Sequence, residues 1–252
     1  MAGAIFFVME KKIINSQTVR EEILRLAEQG NRSFVAGLHP GIEHVLGVRI
    51  PDLRKLAKEI ARADWRTYLQ TAPCTYMEER MLYGLVLGYV STAEGVDEYL
   101  EWVDRFVPMI NSWSVCDSFA FAGGKRFIKI HEDRFWPYLM KWMNATGEYQ
   151  IRFGVVMAFK YFIDEKHVDE LLQQLQQINH NGYYVKMAVA WALSVCYLSF
   201  PEKTMAVCTE GRLDGQTIRM ALQKMVDSYR VTEEDKRRIR ELRRGLLLNL
   251  NT

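Results

Sequence analysis

Apolar residues recur with the three-to-four-residue spacing of amphipathic helices along most of the chain, and no stretch shows the alternation of a β-strand. Residues 30–47 are broken by Gly37, Pro40 and Gly41, so we interpret them as a loop or a short irregular helix. The next helix has Pro51 in its first turn, where proline is favoured. The chain is therefore predicted to be all-α. The predicted helices span residues 16–29, 48–58, 64–71, 76–90, 93–106, 132–144, 149–162, 166–178, 183–200 (stopped by Pro201), 216–228 and 232–248.

The central stretch of the chain places an indole beside a carboxylate. An apolar segment, residues 106–110, leads into the sequence NSWSVCD of residues 111–117, and residues 118–122 are predicted to be helical as well. Trp113 and Asp117 are four residues apart, so they share one face of a helix. Taken alone, the pair is also typical of a core Trp with an acid near a helix start, where acids are common.

Charged residues recur with a period near 35 residues. Arg80, Asp117, Arg152, Lys186 and Arg219 are 37, 35, 34 and 33 residues apart. Three of the cations stand at the head of similar apolar runs, each preceded by a tyrosine: Tyr76, Tyr149 and Tyr184. Such a period is typical of helix-pair repeats, in which equivalent positions line one face of the stack. We therefore expect a row of cations in which Asp117 is the acidic member.

Length and composition leave the domain organisation open. With 252 residues and a hydrophobic content of 49%, the chain can bury a sizeable core as one repeat-built domain or as two small ones. We expect a single domain over residues 1–252. A formal net charge of +2 is too small to indicate nucleic-acid binding by itself, so an anionic partner must be recognised by a local face.

Cysteine and histidine usage favours a reduced protein without a metal. The four cysteines show no CxxC spacing, which predicts reduced core thiols in a cytoplasmic protein. The five histidines are scattered, and we predict neither a metal site nor a cofactor. Residues 1–8 are apolar but lack a basic segment, so they make a poor signal peptide. The alternatives are a disordered start within residues 1–15 and an effective start at Met9. No run of eighteen apolar residues is present, so we predict no membrane span.

Other charged and aromatic groups have simpler interpretations. Residues 123–129 are predicted to form a turn that carries three cations, which are weaker candidates for phosphate contacts: Lys125, Arg126 and Lys129. The basic residues of 48–58 are typical of a solvated helix face. The charges of 232–248 are more typical of a solvated capping helix than of a nucleic-acid-binding arm. Trp136 and Trp142 follow the spacing of a packing helix, so we predict that they lie in the core.

Taken in chain order, these residues resemble the AlkD family of alkylpurine DNA glycosylases, which are built of HEAT-like repeats. The sequence LGVRIPDLRKLAK of residues 46–58 resembles an early helix of that family, and residues 111–117 resemble its central motif. Arg152 resembles the basic residue in the family's next repeat. Trp191 resembles a second Trp of the family, which lies further along its chain. The resemblance covers most of residues 47–199.

The resemblance implies a right-handed superhelical solenoid of HEAT-like (armadillo-type) helix pairs, whose concave basic face holds duplex DNA containing alkylated purines. Trp113, Asp117 and Trp191 match the family's catalytic cluster, and Arg152 matches a backbone-phosphate contact. We expect a monomer that removes N3- and N7-alkylpurines without flipping the lesion into a pocket, without a cofactor, in the nucleoid. The expected DNA contacts are Arg152, Lys186, Lys125, Arg126, Lys129, Arg80 and Arg219.

Three positions depart from the family pattern. Met187 stands where the family has Lys, Ala190 where it has Gly before the second Trp, and Ser194 where an Arg often follows. These changes leave open a catalytically weak or silent relative that binds distorted or branched DNA. A third alternative is a protein-binding helical-repeat scaffold, although a scaffold needs neither an acid–indole pair nor a row of cations.

Overall fold

The computed structural model describes residues 15–93, 95–209 and 212–249, and within these ranges it consists of helices and connecting loops without a strand. The all-α prediction is therefore confirmed for the described chain. The prediction for residues 1–8 lies outside it. The helices are α1 Ser16–Ala27, α2 Arg32–Leu38, α3 Ile50–Arg62, α4 Trp65–Thr71, α5 Met77–Leu87, α6 Val96–Phe106, a 3₁₀ turn Val107–Met109, α7 Trp113–Ser118, α8 Gly124–Ile130, α9 Glu132–Met143, α10 Glu148–Tyr161, α11 Val168–Gln177, α12 Tyr183–Tyr197, α13 Pro201–Thr209, α14 Gly215–Asp227 and α15 Glu233–Asn249.

Short polar side chains fix the first residue of several helices. The side chain of Asn15 accepts a hydrogen bond from the backbone nitrogen of Thr18 at 2.8 Å, and Asp214 caps α14 in the same way. Ser112 caps α7 through a 3.3 Å bond from the backbone nitrogen of Val115. Such caps satisfy backbone N–H groups that have no partner inside the helix. Helix α3 has Pro51 in its first turn, as predicted.

The helix predicted over residues 118–122 is wrong. Helix α7 ends at Ser118, and Phe119 has an extended backbone with φ −69° and ψ 144°. Phe119 and Phe121 are both buried in the core, where their rings meet edge to face at 5.2 Å. Phe119 also packs on Phe106 at 5.3 Å. Burial of both rings therefore outweighs the helical tendency of this segment.

Two predicted boundaries around glycine and proline are also wrong. Residues 123–129, predicted to be a turn, contain most of helix α8, and the reversal is confined to Gly123 and Gly124, whose φ angles are +72° and +64°. Pro201 does not stop α12, which already ends at Tyr197; it begins α13, a helix that the pattern does not predict. Proline suits either position because its missing N–H is harmless in a first helical turn.

The chain divides into two compact units, one ending at Gly123 and the other beginning at Gly124. In the first unit α3 packs against α5, and α5 against α6 and α7. In the second unit α10 packs against α9 and α12, and α12 against α13 and α14. Within each unit, both consecutive and alternate helices are therefore neighbours, as expected of helix-pair repeats.

Helix α5 forms the centre of the first unit. Ten of its eleven residues are buried, the exception being Arg80. A Cβ atom at Gly84 would collide with the ring of Phe106, so only glycine allows α5 and α6 to approach this closely. In the second unit Trp136 and Trp142 are buried, as predicted. All four cysteines are free thiols, three of them buried. Among the described helices, none is long and apolar enough to cross a membrane.

Candidate functional site

A cavity of about 570 Å³ in the first unit is lined by both residues of the predicted acid–indole pair. Helix α7 buries Val115 and Cys116, while Trp113 and Asp117, one turn apart, remain partly exposed along the cavity wall. The sharing of one helix face by this pair, expected from its spacing, is therefore observed. The alternative of a fully buried core Trp does not describe Trp113.

Most of the cavity wall is apolar. Helix α2 contributes two exposed side chains, Phe34 and Leu38, and the start of α3 contributes Ile50. The polar groups of the wall, apart from Asp117, are few: Asn31, His39, Glu78, Arg49, Arg54, Ser114 and Ser118. An apolar concavity with a few polar groups is the usual form of a binding site.

The indole of Trp113 is held by two consecutive residues at the end of α2. Its Nε1 donates a hydrogen bond to the carbonyl oxygen of Leu38 at 3.2 Å. Its ring is stacked on the imidazole of His39, with 5.0 Å between the ring centroids and 9° between the planes. The sequence interpretation does not include either contact, because the partners are more than seventy residues apart in the chain.

Arg54 brings a cation to the same wall as Asp117. Its guanidinium donates to the hydroxyl of Tyr89 at 3.2 Å and to the carbonyl oxygen of Ser118, the residue after Asp117, at 3.4 Å. Lys58 lies over the ring of Tyr89 at 5.2 Å. These contacts correct the view of residues 48–58 as a merely solvated basic face, since Arg54 is half-buried at the cavity.

Glu78 fixes the loop that closes one side of the cavity. Only 1% exposed, it accepts hydrogen bonds from the backbone nitrogens of Leu46 at 3.0 Å and Gly47 at 2.6 Å. Gly47 has a φ angle of +85°, and a Cβ atom there would collide with the backbone of Arg32. The Leu46–Gly47 pair thus holds the start of α2 close to the loop before α3.

In the second unit, the predicted second indole lies on α12. Trp191 is partly exposed, contacts the ring of Phe159 at a centroid distance of 4.6 Å, and lies 5.9 Å from the amino group of Lys224. Two of the positions that depart from the family pattern, Ala190 and Ser194, are buried. The hydroxyl of Ser194 donates to the carbonyl oxygen of Trp191 at 2.8 Å.

Two cations of the predicted row have partners inside the second unit. Arg152 is only 3% exposed and donates to the carbonyl oxygen of Tyr184 at 3.0 Å. The amino group of Lys186 donates to Asp214 at 3.2 Å and to Gln216 at 3.1 Å.

The cations of α8 fall into two kinds. Lys129 donates to Glu132 at 2.6 Å and lies 3.8 Å from Asp164. Hydrogen bonds from Lys129 and Lys166 lower the pKa of Glu132 to about 2. Lys125 and Arg126 are exposed, and neither has a hydrogen-bond or ion-pair partner among the described residues.

The remaining predicted cations are Arg80 and Arg219, both partly exposed. Arg80 donates to the carbonyl oxygen of Met109 at 2.8 Å, within the first unit. Across the described ranges, no group of three or more His, Cys, Asp or Glu side chains is placed to hold a metal ion.

A family model described as DNA alkylation repair enzyme matches residues 19–225, most of the chain. The chain belongs to this family. The AlkD-type resemblance carried by residues 46–58, 111–117, Arg152 and Trp191 is thereby confirmed. Comparison with curated proteins gave no match.

For a DNA alkylation repair enzyme, the residues missed by the sequence interpretation are His39, Arg54 and Glu78, all of which line the cavity beside Trp113 and Asp117. Glu78 carries no clear signal, because it stands in the first turn of α5 beside Glu79, where acids are common. His39 carries none, since an isolated histidine in a segment rich in glycine and proline resembles a surface residue.

Proposed function

We propose that this protein is a DNA glycosylase that hydrolyses the N-glycosidic bond of N3- and N7-alkylated purines in duplex DNA. One observation carries the proposal: Trp113 and Asp117 line one open cavity from the same helix, in a chain of the DNA alkylation repair enzyme family. The reaction converts the nucleotide and water into an abasic sugar, a free purine and a proton.

The proposed chemistry needs one carboxylate and no general acid. An N3- or N7-alkylated purine carries a positive charge and leaves as a neutral base when the glycosidic electron pair moves onto it. The sugar that remains develops oxocarbenium character at C1′. A carboxylate facing that carbon stabilises the developing charge and orients the attacking water, whose proton goes to solvent. We assign this role to Asp117.

Indole faces add attraction for the cationic base and for the cationic sugar. A cation over an indole ring gains about 0.5–2 kcal/mol, most when the pair is desolvated. Trp113 is available for this contact because its ring borders the cavity and remains partly exposed. We assign the same role to Trp191, whose match to the family's second Trp supports it.

For DNA binding, we propose the right-handed solenoid of HEAT-like repeats with a concave basic face, acting as a monomer. Phosphate neutralisation by Lys and Arg provides most non-specific duplex affinity. Lys125 and Arg126 are exposed and can contact phosphates without breaking an existing ion pair. Arg152 and Lys186 would have to exchange Tyr184 and Asp214 for phosphate.

The experiment that tests the proposal is base release from four duplexes, containing 7-methylguanine, 3-methyladenine, hypoxanthine or uracil, at several pH values. We expect release of the two methylated purines only, because neutral bases would need a proton donor to leave. The rate should change little across neutral pH, because the proposed mechanism uses no proton donor. Excision of uracil at a comparable rate, or a bell-shaped profile near pH 7, would contradict the mechanism.

A second candidate is a relative that binds distorted or branched DNA with little or no excision. It is favoured by Met187, which lies one turn before Trp191 where the family resemblance leads us to expect a cation, and which is partly buried. Intact duplex binding without release of any base from the four duplexes would select this alternative.

A further inference from the structure

His39 occupies an unusual position for a histidine. Its side chain is only 4% exposed, and it stands directly after α2 on the wall of the cavity. The ring Nδ1 lies 2.8 Å from the carbonyl oxygen of Val35, one turn earlier. Because a carbonyl oxygen can only accept, Nδ1 must be the nitrogen that carries the proton and donates.

The other ring nitrogen is left without a partner. Nε2 of His39 is buried, and no donor or acceptor in the described chain contacts it. A buried polar atom without a hydrogen bond destabilises a fold, so an apolar ring would cost less at this position if packing were its only task. The imidazole therefore needs an explanation beyond filling space.

The hydrogen bond of Nδ1 and the stacking of the ring supply that explanation. The Nδ1–H bond to Val35 fixes the rotation of the imidazole about its own axis, which a phenyl ring cannot do. The fixed ring is then stacked on the indole of Trp113, with 9° between the two ring planes. The indole edge is fixed separately by the bond from its Nε1 to Leu38. Leu38 and His39, at the end of α2, together determine both the tilt and the direction of the Trp113 indole on α7.

Such control matters because α7 has only six residues and Trp113 is the first of them. A partly exposed indole at a helix start has several accessible rotamers unless neighbouring groups exclude them. A group displaced by about 1 Å from its productive geometry can lose a large part of its contribution to a reaction rate.

We propose that His39 is a positioning residue that fixes the plane of the Trp113 indole at the candidate site. The inference rests on the proposed function for its effect on base release, but the effect on the indole itself is independent of it. His39 does not contact the reacting atoms in this proposal; it acts through Trp113.

Two substitutions separate the features of the ring. His39→Asn can keep an N–H directed at Val35 but removes the stack, whereas His39→Phe keeps a stacked ring and removes the bond. We expect single-turnover release of 7-methylguanine to fall about tenfold with either substitution, because the proposal needs both the stacked ring and the bond that fixes its plane. His44→Asn is the matched control, because His44 is exposed and lies outside the cavity wall, against Tyr76.

A double-mutant cycle tests whether the effect passes through the indole. In a Trp113→Ala background, His39→Asn should slow release by less than about twofold further, because the group that it positions is gone. An additional tenfold decrease in that background would overturn the proposal. Urea unfolding of each variant shows whether the first unit stays folded.

Fluorine NMR of protein labelled with 5-fluorotryptophan provides a readout that does not need activity. The chain has six tryptophans, and Trp113→Phe identifies the resonance of interest. His39→Asn and His39→Phe should each shift or broaden that resonance and leave the other five in place. An unchanged Trp113 resonance in His39→Asn would overturn the proposal. If the wild-type protein releases no base, the proposed glycosylase activity fails, and the fluorine spectrum alone decides on His39.

Discussion

Asp117 follows Trp113 by one helical turn, and both side chains line the same cavity. Asp117→Asn removes the charge but little volume, so we expect duplex affinity and fold to be retained while base release falls by about 10²–10³. The measurement is single-turnover release of 7-methylguanine, with binding measured on the same duplex. Asp97→Asn, on α6 and outside the cavity wall, is the matched control and should release base like the wild type. Wild-type-like release by Asp117→Asn would remove this carboxylate from the mechanism.

The exposed pair Lys125 and Arg126 should set part of the salt dependence of duplex binding. Removing one cation that neutralises a phosphate lowers the slope of log affinity against log salt by about 0.9, so replacing both residues by Ala should lower it by about two units, equally for all sequences. Arg237→Ala, on the exposed surface of α15, is the control and should leave the slope unchanged. An unchanged slope in the double variant would mean that other residues contact the phosphates.

If Lys129 contacts a DNA phosphate as proposed, Glu132 competes with that phosphate for its amino group. Glu132→Gln removes the negative charge that now lies 2.6 Å from the Lys129 amino group and leaves Asp164, 3.8 Å away, as its remaining acidic neighbour. We therefore expect tighter duplex binding at low salt, with the gain disappearing as the salt concentration rises. Glu202→Gln on α13 removes an exposed carboxylate elsewhere in the second unit and serves as the control. Equal gains in both variants would mean that only net charge matters.

The carboxylate of Glu132 should also make the stability of the second unit depend on pH in the acid range. Hydrogen bonds from Lys129 and Lys166 lower the pKa of Glu132 from 4.5 to about 2. Because the folded-state pKa lies below the unfolded one, the stabilisation is fully present above about pH 4.5 and is lost as the pH falls towards 2. Glu132→Gln should flatten the dependence of urea stability on pH in that interval only. A difference from the wild type that persists unchanged down to pH 2 would contradict the assignment.

Removing the charge of Glu78 should loosen the cavity wall. Glu78→Gln replaces one of two acceptor oxygens by an NH₂ group that must face the backbone N–H of Leu46 or Gly47. We expect the free energy of unfolding of the first unit to fall by about 1–3 kcal/mol. Urea unfolding measures it, with Glu43→Gln, a nearby position outside the cavity wall, as the control. Unchanged stability would show that the loop is held by other contacts.

Local periodicity predicts most of the helices because their buried faces repeat every three to four residues. It fails at residues 118–122, where Phe119 packs on Phe106 and on Phe121 from an extended backbone. It also misses α13, because Pro201 can end one helix or begin the next and its neighbours do not decide between them.

Parts of the candidate site are predictable for a similar reason. The four-residue spacing of Trp113 and Asp117 determines a shared helix face without knowledge of tertiary structure. The contact between Trp113 and His39 is not encoded in any local pattern, since it depends on how α2 packs beside α7. The burial of Arg152 does have a signal in the sequence, because every other residue of 151–159 is apolar or glycine.

Helix α2 is seven residues long, and none of its described side chains is buried. A segment with so little buried apolar area opens at a lower free-energy cost than the helices around α5. Yet the carbonyl of Leu38 and the ring of His39, at the end of α2, hold the indole of Trp113. Moderate warming should therefore release the indole while the core of the unit remains intact. Catalytic turnover would then reach its temperature optimum well below the cooperative melting transition.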